Sequence, residues 1–245
     1  MTDNKGVKND LKIIVIGSSG TGKTSLVKRW VGQNFEQTKP TIVSEFSTKI
    51  YKKDETFYRV QIWDIGGQDK STAVTKIFAK DSHGCIVVCD INDEKTLEDT
   101  AAWKSSVEDE CIFTDGGAIP FLLLRNKIDM IENEEDKQKL EEETNNFCNE
   151  NDFVKSFLTS AKENINVKES LDFFLEHIIQ RLNDGYIHLN SFIVDILQQD
   201  IREHTERQLQ RTEKSLRISL RQERLTQILS KQEYCQMLTA IQRLI

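Results

Sequence analysis

Short apolar runs alternate with longer amphipathic segments over residues 11–182. Six runs are short and largely continuous in apolar residues, which predicts β-strands: Leu11–Ile16, Ser44–Tyr51, Tyr58–Asp64, Gly84–Asp90, Phe121–Asn126 and Lys155–Thr159. Four intervening segments have helical spacing: Lys23–Val31, Leu97–Glu110, Glu134–Asn149 and Val167–Arg181. This alternation predicts an α/β fold with a mainly parallel six-stranded sheet and helices on both faces. The polar turn Lys52–Glu55 predicts one antiparallel hairpin.

The pattern changes near residues 183–185. From Tyr186 to Ile245 there is no proline or glycine, and apolar residues recur at helical spacing. This segment therefore predicts one long amphipathic helix or two helices in series, with an arginine-rich middle over 202–224. We divide the chain into three parts: a polar N-terminal tail (1–10), a domain (11–182) and a helical extension (183–245).

Composition and charge narrow the class of protein. The net charge is −7, which argues against nucleic-acid binding. From Tyr186 onward the chain holds nine Lys and Arg against seven Asp and Glu, so the acidity belongs to the domain. The five cysteines show neither metal-ligand clustering nor a disulfide framework, and we interpret them as reduced thiols of a cytosolic protein. We expect no signal peptide, no N-terminal myristoylation and no membrane span.

A glycine-rich stretch follows the first predicted strand and opens the first predicted helix. Residues 17–24 read Gly-Ser-Ser-Gly-Thr-Gly-Lys-Thr and fit the pattern G-x-x-x-x-G-K-[ST]. The backbone N–H groups of such a loop cradle phosphates at a helix N-terminus. We expect Lys23 to neutralise the β- and γ-phosphates and Thr24 to bind Mg²⁺. The expected triphosphate-binding residues are Ser19, Gly20, Thr21, Gly22, Lys23, Thr24 and Ser25.

Two later motifs indicate that the base is guanine. Asn126-Lys127-Ile128-Asp129 follows an apolar strand, where the Asp129 carboxylate can accept from guanine N1–H and N2–H₂. Adenine lacks that pair of donors, so such a site would reject it. We expect Asn126 to brace the loop and the Lys127 stem to cover the base. Ser160-Ala161-Lys162 is predicted to form the other wall, with the Ala161 N–H donating to guanine O6.

A third group of residues is predicted to act at the γ-phosphate. Asp64 would hold Mg²⁺ through water, and Thr41 would complete the Mg²⁺ shell when GTP is bound. The Gly67 N–H would sense the γ-phosphate, and Gln68 would orient the attacking water. The predicted catalytic residues are therefore Gln68, Lys23 and Thr41. Phe35 either packs edge-on to the base or covers the core as a loop aromatic.

Together these motifs resemble the Ras superfamily and, within it, the Rab GTPases, over about residues 10–182. Trp63-Asp64-Ile65 resembles the Rab branch associated with lysosome-related organelles. The resemblance implies a P-loop NTPase fold, GTP or GDP with Mg²⁺, slow GTP hydrolysis, and a role in vesicle trafficking. It also implies effectors, an exchange factor and an activating protein. The effector-facing aromatic triad of Rabs matches Phe46, Trp63 and Phe78.

Departures from the Rab pattern leave a second interpretation open. Gly66 replaces the usual alanine, Asp69-Lys70-Ser71 replaces Glu-Arg-Phe, and the chain ends without cysteines for geranylgeranyl groups. We therefore do not expect C-terminal prenylation. The extension 186–245 is predicted to bind its own domain, a membrane surface or, preferably, another protein helix in a coiled coil. The protein is then either a cytoplasmic switch or a nucleotide-stabilised subunit of a cytoskeletal or ciliary assembly.

Overall fold

The structure is a computed structural model that divides the chain into two compact units, Met1–Gly185 and Tyr186–Ile245. It describes residues 9–36, 39–41, 44–68, 73–108, 111, 113, 116–185, 236 and 239. In the second unit the described residues Gln236 and Thr239 are exposed positions of a helix. The helical prediction for the rest of 186–245 lies outside the described residues, as does most of the predicted N-terminal tail.

One six-stranded sheet forms the centre of the first unit, in the order β2-β3-β1-β4-β5-β6. The strands are β1 (Asn9–Ile16), β2 (Ser44–Lys53), β3 (Thr56–Ile65), β4 (Gly84–Asp90), β5 (Phe121–Asn126) and β6 (Lys155–Thr159). Only the β2–β3 pair is antiparallel, and every other pair of neighbours is parallel. The mainly parallel sheet and its single hairpin are thus confirmed.

Five α-helices flank this sheet among the described residues. They are α1 (Lys23–Trp30), α2 (Ala73–Ala79), α3 (Glu94–Glu108), α4 (Glu134–Glu150) and α5 (residues 167–185). The central strands β4 and β5 are almost entirely buried, because both faces of the sheet are covered there. The core includes Trp103 of α3, Phe121 of β5 and Phe174 of α5, all nearly inaccessible to solvent.

Several predicted boundaries need correction. Strand β1 begins at Asn9, inside the predicted polar tail, because Arg59 of β3 donates two hydrogen bonds to the Asp10 carboxylate and continues the pairing. The predicted four-residue turn shrinks to two residues, since Lys53 still pairs with Thr56. Residue 54 of this turn adopts a left-handed φ of 52°.

Helix boundaries also shift. Helix α3 starts at Glu94 rather than Leu97, where an acidic first turn suits the positive end of the helix dipole. Helix α5 continues through 183–185, past the predicted domain boundary at 182. Helix α2 was not predicted, because its seven residues are too short to show a helical period.

The remaining sequence expectations concern cysteines, metals and membranes. Cys85, Cys89 and Cys148 are buried free thiols, and Cys111 is also buried. Within the part of the chain that the structure describes, no cluster of His, Cys, Asp and Glu suited to a metal ion is present. No helix in that same part is long and apolar enough to cross a membrane.

Candidate nucleotide-binding site

A cavity of about 490 Å³ lies at the carboxyl edge of the sheet, where β1, β3, β4 and β5 end. Open α/β sheets bind ligands at this edge. Its wall contains most of the predicted nucleotide residues: Ser19, Gly20, Gly22, Lys23, Thr24, Ser25, Phe35, Thr41, Gly67, Asn126, Lys127, Asp129, Ala161 and Lys162. The fold therefore brings residues from five separate segments to one cavity.

The phosphate end of the cavity is built by the loop between β1 and α1. Gly22 has a φ of 93° and precedes the first residue of α1, so the loop turns directly into the helix N-terminus. Lys23 is 5% exposed, and its Nζ donates to the carbonyl oxygens of Gly17 at 2.8 Å and Ser18 at 3.0 Å. Burial lowers the pKa of Lys23 to about 8, against the opposing effect of Asp64. A phosphate bound in the loop would supply negative charge to pair with this buried ammonium.

Three oxygen-bearing side chains meet beside the loop. Thr24 Oγ1 donates to Asp64 Oδ2 at 2.5 Å and lies 2.8 Å from Thr41 Oγ1. Asp64 is fully buried, and its Oδ1 has no hydrogen-bond partner within the described part of the chain. Burial raises the pKa of Asp64 to about 6, although Thr24 and Lys23 lower it. An unpaired carboxylate oxygen beside two hydroxyls fits Mg²⁺, which prefers oxygen ligands.

Asn126 braces the base end, as expected, through both of its amide atoms. Its Nδ2 donates to the Thr21 carbonyl oxygen at 2.9 Å, which ties the loop 126–129 to the loop 17–24. Its Oδ1 accepts from Thr159 Oγ1 at 3.3 Å and from the Ala161 N–H at 3.2 Å. The second of these contacts gives the Ala161 N–H, which the sequence assigns to guanine O6, a partner within the protein. A base would have to share that N–H or draw it away from Asn126.

The Asp129 carboxylate faces the cavity and is held from the far side. Ser160 Oγ donates to Asp129 Oδ1 at 2.5 Å, and Lys162 Nζ lies 3.9 Å from Asp129 Oδ2. Ser160 itself is fully buried and does not line the cavity, so it positions Asp129. Lys127 adopts a φ of 75°, and its Nζ donates to Asp90 Oδ2 at 2.5 Å, which orients the stem along the wall.

Of two residues predicted to act at the γ-phosphate, Gly67 lines the cavity and Gln68 does not. Gly67 lines the cavity against the phosphate loop: a Cβ added to it would lie 2.5 Å from both Gly17 O and Ser19 N. Gln68 is exposed and is not part of the cavity wall. The Gln68 side chain would therefore have to turn toward the cavity to reach a water at the γ-phosphate.

Sequence reasoning missed several residues at the site. Lys39 and Met130 line the cavity, and Asp90 anchors Lys127. Arg29 holds the loop that contains Ala161. Asp90 ends a predicted strand at the ligand edge, which was an available signal. Arginine is common in helices, so nothing in the sequence marked Arg29 as a residue of the site.

A family model described as the Ras family matches residues 12–180. The chain belongs to the Ras family. It is 38% identical to Ras-related protein Rab-32 of Homo sapiens over 170 residues, 69% of this chain and 74% of that protein. It is 35% identical to Rab-32A of Dictyostelium discoideum over 182 residues, 73% and 82% respectively. Ras-related protein Rab-7L1 of Homo sapiens is 29% identical over 74% of this chain and 88% of its own. The resemblance to Rab small GTPases is thereby confirmed.

In this Ras-family chain the three aromatic residues of the predicted triad form one cluster of tilted rings. The Trp63 ring centroid lies 4.9 Å from that of Phe46 and 5.1 Å from that of Phe78. Phe46 is 53% exposed, so one end of the cluster is open to a partner. Trp63 Nε1 is buried without a hydrogen-bond partner among the described residues.

Proposed function

We propose that this Rab-like protein is a molecular switch that binds GDP or GTP with Mg²⁺ and hydrolyses GTP slowly. The observation that carries the proposal is one continuous cavity with Lys23 at one end and Asp129 at the other. Lys23 suits a polyphosphate, and a carboxylate held by Ser160 suits the paired donors of guanine. The proposal extends the GTPase activity of the family to this chain's own residues.

Each residue has a part that its position supports. The loop 17–24 and Lys23 bind and orient the phosphates, while Phe35 and the Lys127 stem cover the base. Thr24, Thr41 and Asp64 would hold Mg²⁺, which neutralises charge on the β- and γ-phosphates when bound. The Thr41 contact with Thr24 and the packing of Gly67 on the loop support a role for the segments around Thr41 and Gly67 as switches that contact the γ-phosphate. A lost γ-phosphate would release them.

Hydrolysis is proposed to be slow. Gln68 must move from its exposed position before it can orient water. The described cavity wall contains the cations Lys23, Lys39, Lys127 and Lys162, but no arginine that could act as a finger. We expect turnover of about 10⁻⁴ to 10⁻³ s⁻¹ without an activating protein.

The surface contacts of the switch belong to the same proposal. The cluster of Phe46, Trp63 and Phe78 includes Trp63 of β3, the strand that leads to Gly67, so effectors would sense the nucleotide state there. We expect an exchange factor to accelerate GDP release and an activating protein to accelerate GTP hydrolysis, because the protein alone would perform both steps slowly. Residues 186–245 are proposed to bind a helical protein partner, on the basis of their apolar spacing. Vesicle trafficking in the cytoplasm is the setting that the Rab relatives suggest.

The test is the nucleotide content and turnover of the purified full-length chain. Bound nucleotide is extracted and its base identified by chromatography, and phosphate release is followed with Mg²⁺ and with EDTA. GDP, with slow Mg²⁺-dependent phosphate release from added GTP, supports the switch. Firmly held GTP with no release over days would instead favour a structural subunit. An adenine nucleotide, or no affinity for any nucleotide, would contradict the proposal.

A further inference from the structure

We infer that Arg29 is a positioning residue for guanine recognition. It stands in the last turn of α1, the helix whose first residues face the phosphates, and holds the loop 160–163 that forms one wall of the base site. One helix would thus set the phosphate loop with its first turn and the base loop with its last. This inference rests on the proposed guanine-nucleotide binding.

The contact is bidentate. Arg29 Nε donates to the Ala161 carbonyl oxygen at 2.8 Å, and its Nη2 donates to the Lys162 carbonyl oxygen at 2.8 Å. The guanidinium is a rigid planar fork, so two bonds to successive carbonyls fix both the position and the tilt of that backbone. Ala161 and Lys162, whose carbonyl oxygens Arg29 holds, both line the cavity.

Further bonds close a ring around the base end. The Ala161 N–H donates to Asn126 Oδ1, and Asn126 Nδ2 donates to the Thr21 carbonyl in the phosphate loop. The phosphate loop leads into α1, and α1 returns to the base loop through Arg29. The neighbouring Trp30 donates from Nε1 to the Val167 carbonyl at 2.7 Å and fixes this end of α1. Arg29 therefore works from a firmly held helix.

A plainer role for Arg29 must be separated from this one. A cation in the last turn of a helix is stabilised by the helix dipole, and Lys28 and Arg29 both lie in that turn of α1. Lysine would serve the dipole equally well but cannot make the planar two-carbonyl contact. Arg29→Lys thus distinguishes positioning from simple electrostatics.

The experiment measures the release of a fluorescent GDP analogue from full-length protein at constant salt, with and without EDTA. The variants are Arg29→Ala, Arg29→Lys and, as a matched control, Arg181→Ala. Arg181 also donates to a backbone carbonyl, that of Ala118 at 2.6 Å, but outside the cavity wall. Thermal unfolding of each GDP-bound variant reports its stability.

We expect Arg29→Ala to release GDP roughly tenfold faster, because two charge-assisted hydrogen bonds to the base loop are lost. Arg29→Lys should also release GDP severalfold faster while unfolding near the wild-type temperature. Arg181→Ala should remain within twofold of wild type. EDTA should accelerate release by the same factor in wild type and Arg29→Ala, because Arg29 bonds to the base loop and not to Thr24, Thr41 or Asp64.

Three results would overturn the inference. These are release from Arg29→Ala no faster than from Arg181→Ala, full recovery in Arg29→Lys, or an EDTA effect that disappears in Arg29→Ala. The last would place the effect at the metal end. Arg29→Lys alone decides the question if Arg29→Ala does not fold. Failure of wild type to bind the GDP analogue would instead contradict the proposed function.

Discussion

The phosphate end and the base end of the cavity are built by different means. At the phosphate end, eight consecutive residues, 17–24, supply the loop and its buried Lys23, and the buried Asp64 lies beside them. At the base end, three segments distant in sequence meet, and side chains that bind backbone carbonyls hold them together. The first end depends on local geometry and charge, and the second on tertiary hydrogen bonds.

This difference teaches how each end should respond to mutation. Buried charges are costly unless paired, so the phosphate end should depend steeply on its ligands and on single charged groups. A hydrogen-bond network divides its contribution among several members, so single changes at the base end should cost less. Asn126, which bonds to both loops, couples the two ends.

The largest expected effect is at the phosphate end. Lys23→Ala removes the buried cation that would pair with the phosphates, and we expect guanine-nucleotide affinity to fall on the order of 10⁴-fold. Equilibrium titration with labelled GDP measures it. Lys28→Ala, on the partly exposed side of the same helix, is the control and should bind as wild type does. Unchanged affinity in Lys23→Ala would contradict the phosphate assignment.

Asp129→Asn tests the base end. The amide offers one oxygen acceptor and two N–H donors, so it no longer accepts from both guanine N1–H and N2–H₂. We expect GDP affinity to fall roughly 10³-fold while xanthosine diphosphate binds better, a gain absent from a merely unfolded variant. Competition binding with both nucleotides measures it.

Asp136→Asn, at an exposed position of α4, serves as the control for this change. An unaltered preference between the two nucleotides in Asp129→Asn would argue against the base pocket. A fall in GDP affinity as large as that of Lys23→Ala would remove the contrast between the two ends.

The phosphate end was also easier to predict from the sequence than the base end. The phosphate end could be predicted because its residues are contiguous, and the bounds of β4, β5 and β6 followed from their continuous apolar runs. The partner of the Ala161 N–H could not, since it depends on the side-chain orientation of Asn126. Arg29 and Ala161 are 132 residues apart, and no periodicity links them. The short helix α2 and the polar start of β1 depend on tertiary contacts.

Gly67→Ala tests the phosphate end without removing a charged group. An added Cβ would lie 2.5 Å from the backbone of the phosphate loop and 2.6 Å from Lys23 Nζ, so the switch segment must withdraw. We expect single-turnover GTP hydrolysis to slow about 10²-fold, because the Gly67 N–H would leave the γ-phosphate. GDP affinity should change little, since GDP lacks that phosphate.

Gly185→Ala is the matched control for Gly67→Ala, because its added Cβ would meet nothing within 4 Å. Hydrolysis at the wild-type rate in Gly67→Ala would show that Gly67 does not contact the γ-phosphate during the reaction.

The smallest effect concerns a second buried cation, at the base end. Arg125 is 1% exposed and follows four apolar residues of β5, immediately before Asn126. Its Nη2 donates to Glu94 Oε2 at 2.9 Å and its Nη1 to Thr144 Oγ1 at 3.2 Å, while its Nε is buried with no partner among the residues that the structure describes. Unlike Lys23, Arg125 is not part of the cavity wall, so its charge serves no ligand there.

We therefore expect Arg125→Leu to change the free energy of unfolding by less than about 1 kcal/mol, since apolar replacement of a buried ion is often neutral. Glu94→Gln should cost about 1–2 kcal/mol, because it leaves the buried guanidinium without its carboxylate; the exposure of Glu94 limits the loss. Urea unfolding with saturating GDP compares the two. A larger loss in Arg125→Leu would mean that the base end, like the phosphate end, depends on a buried charge.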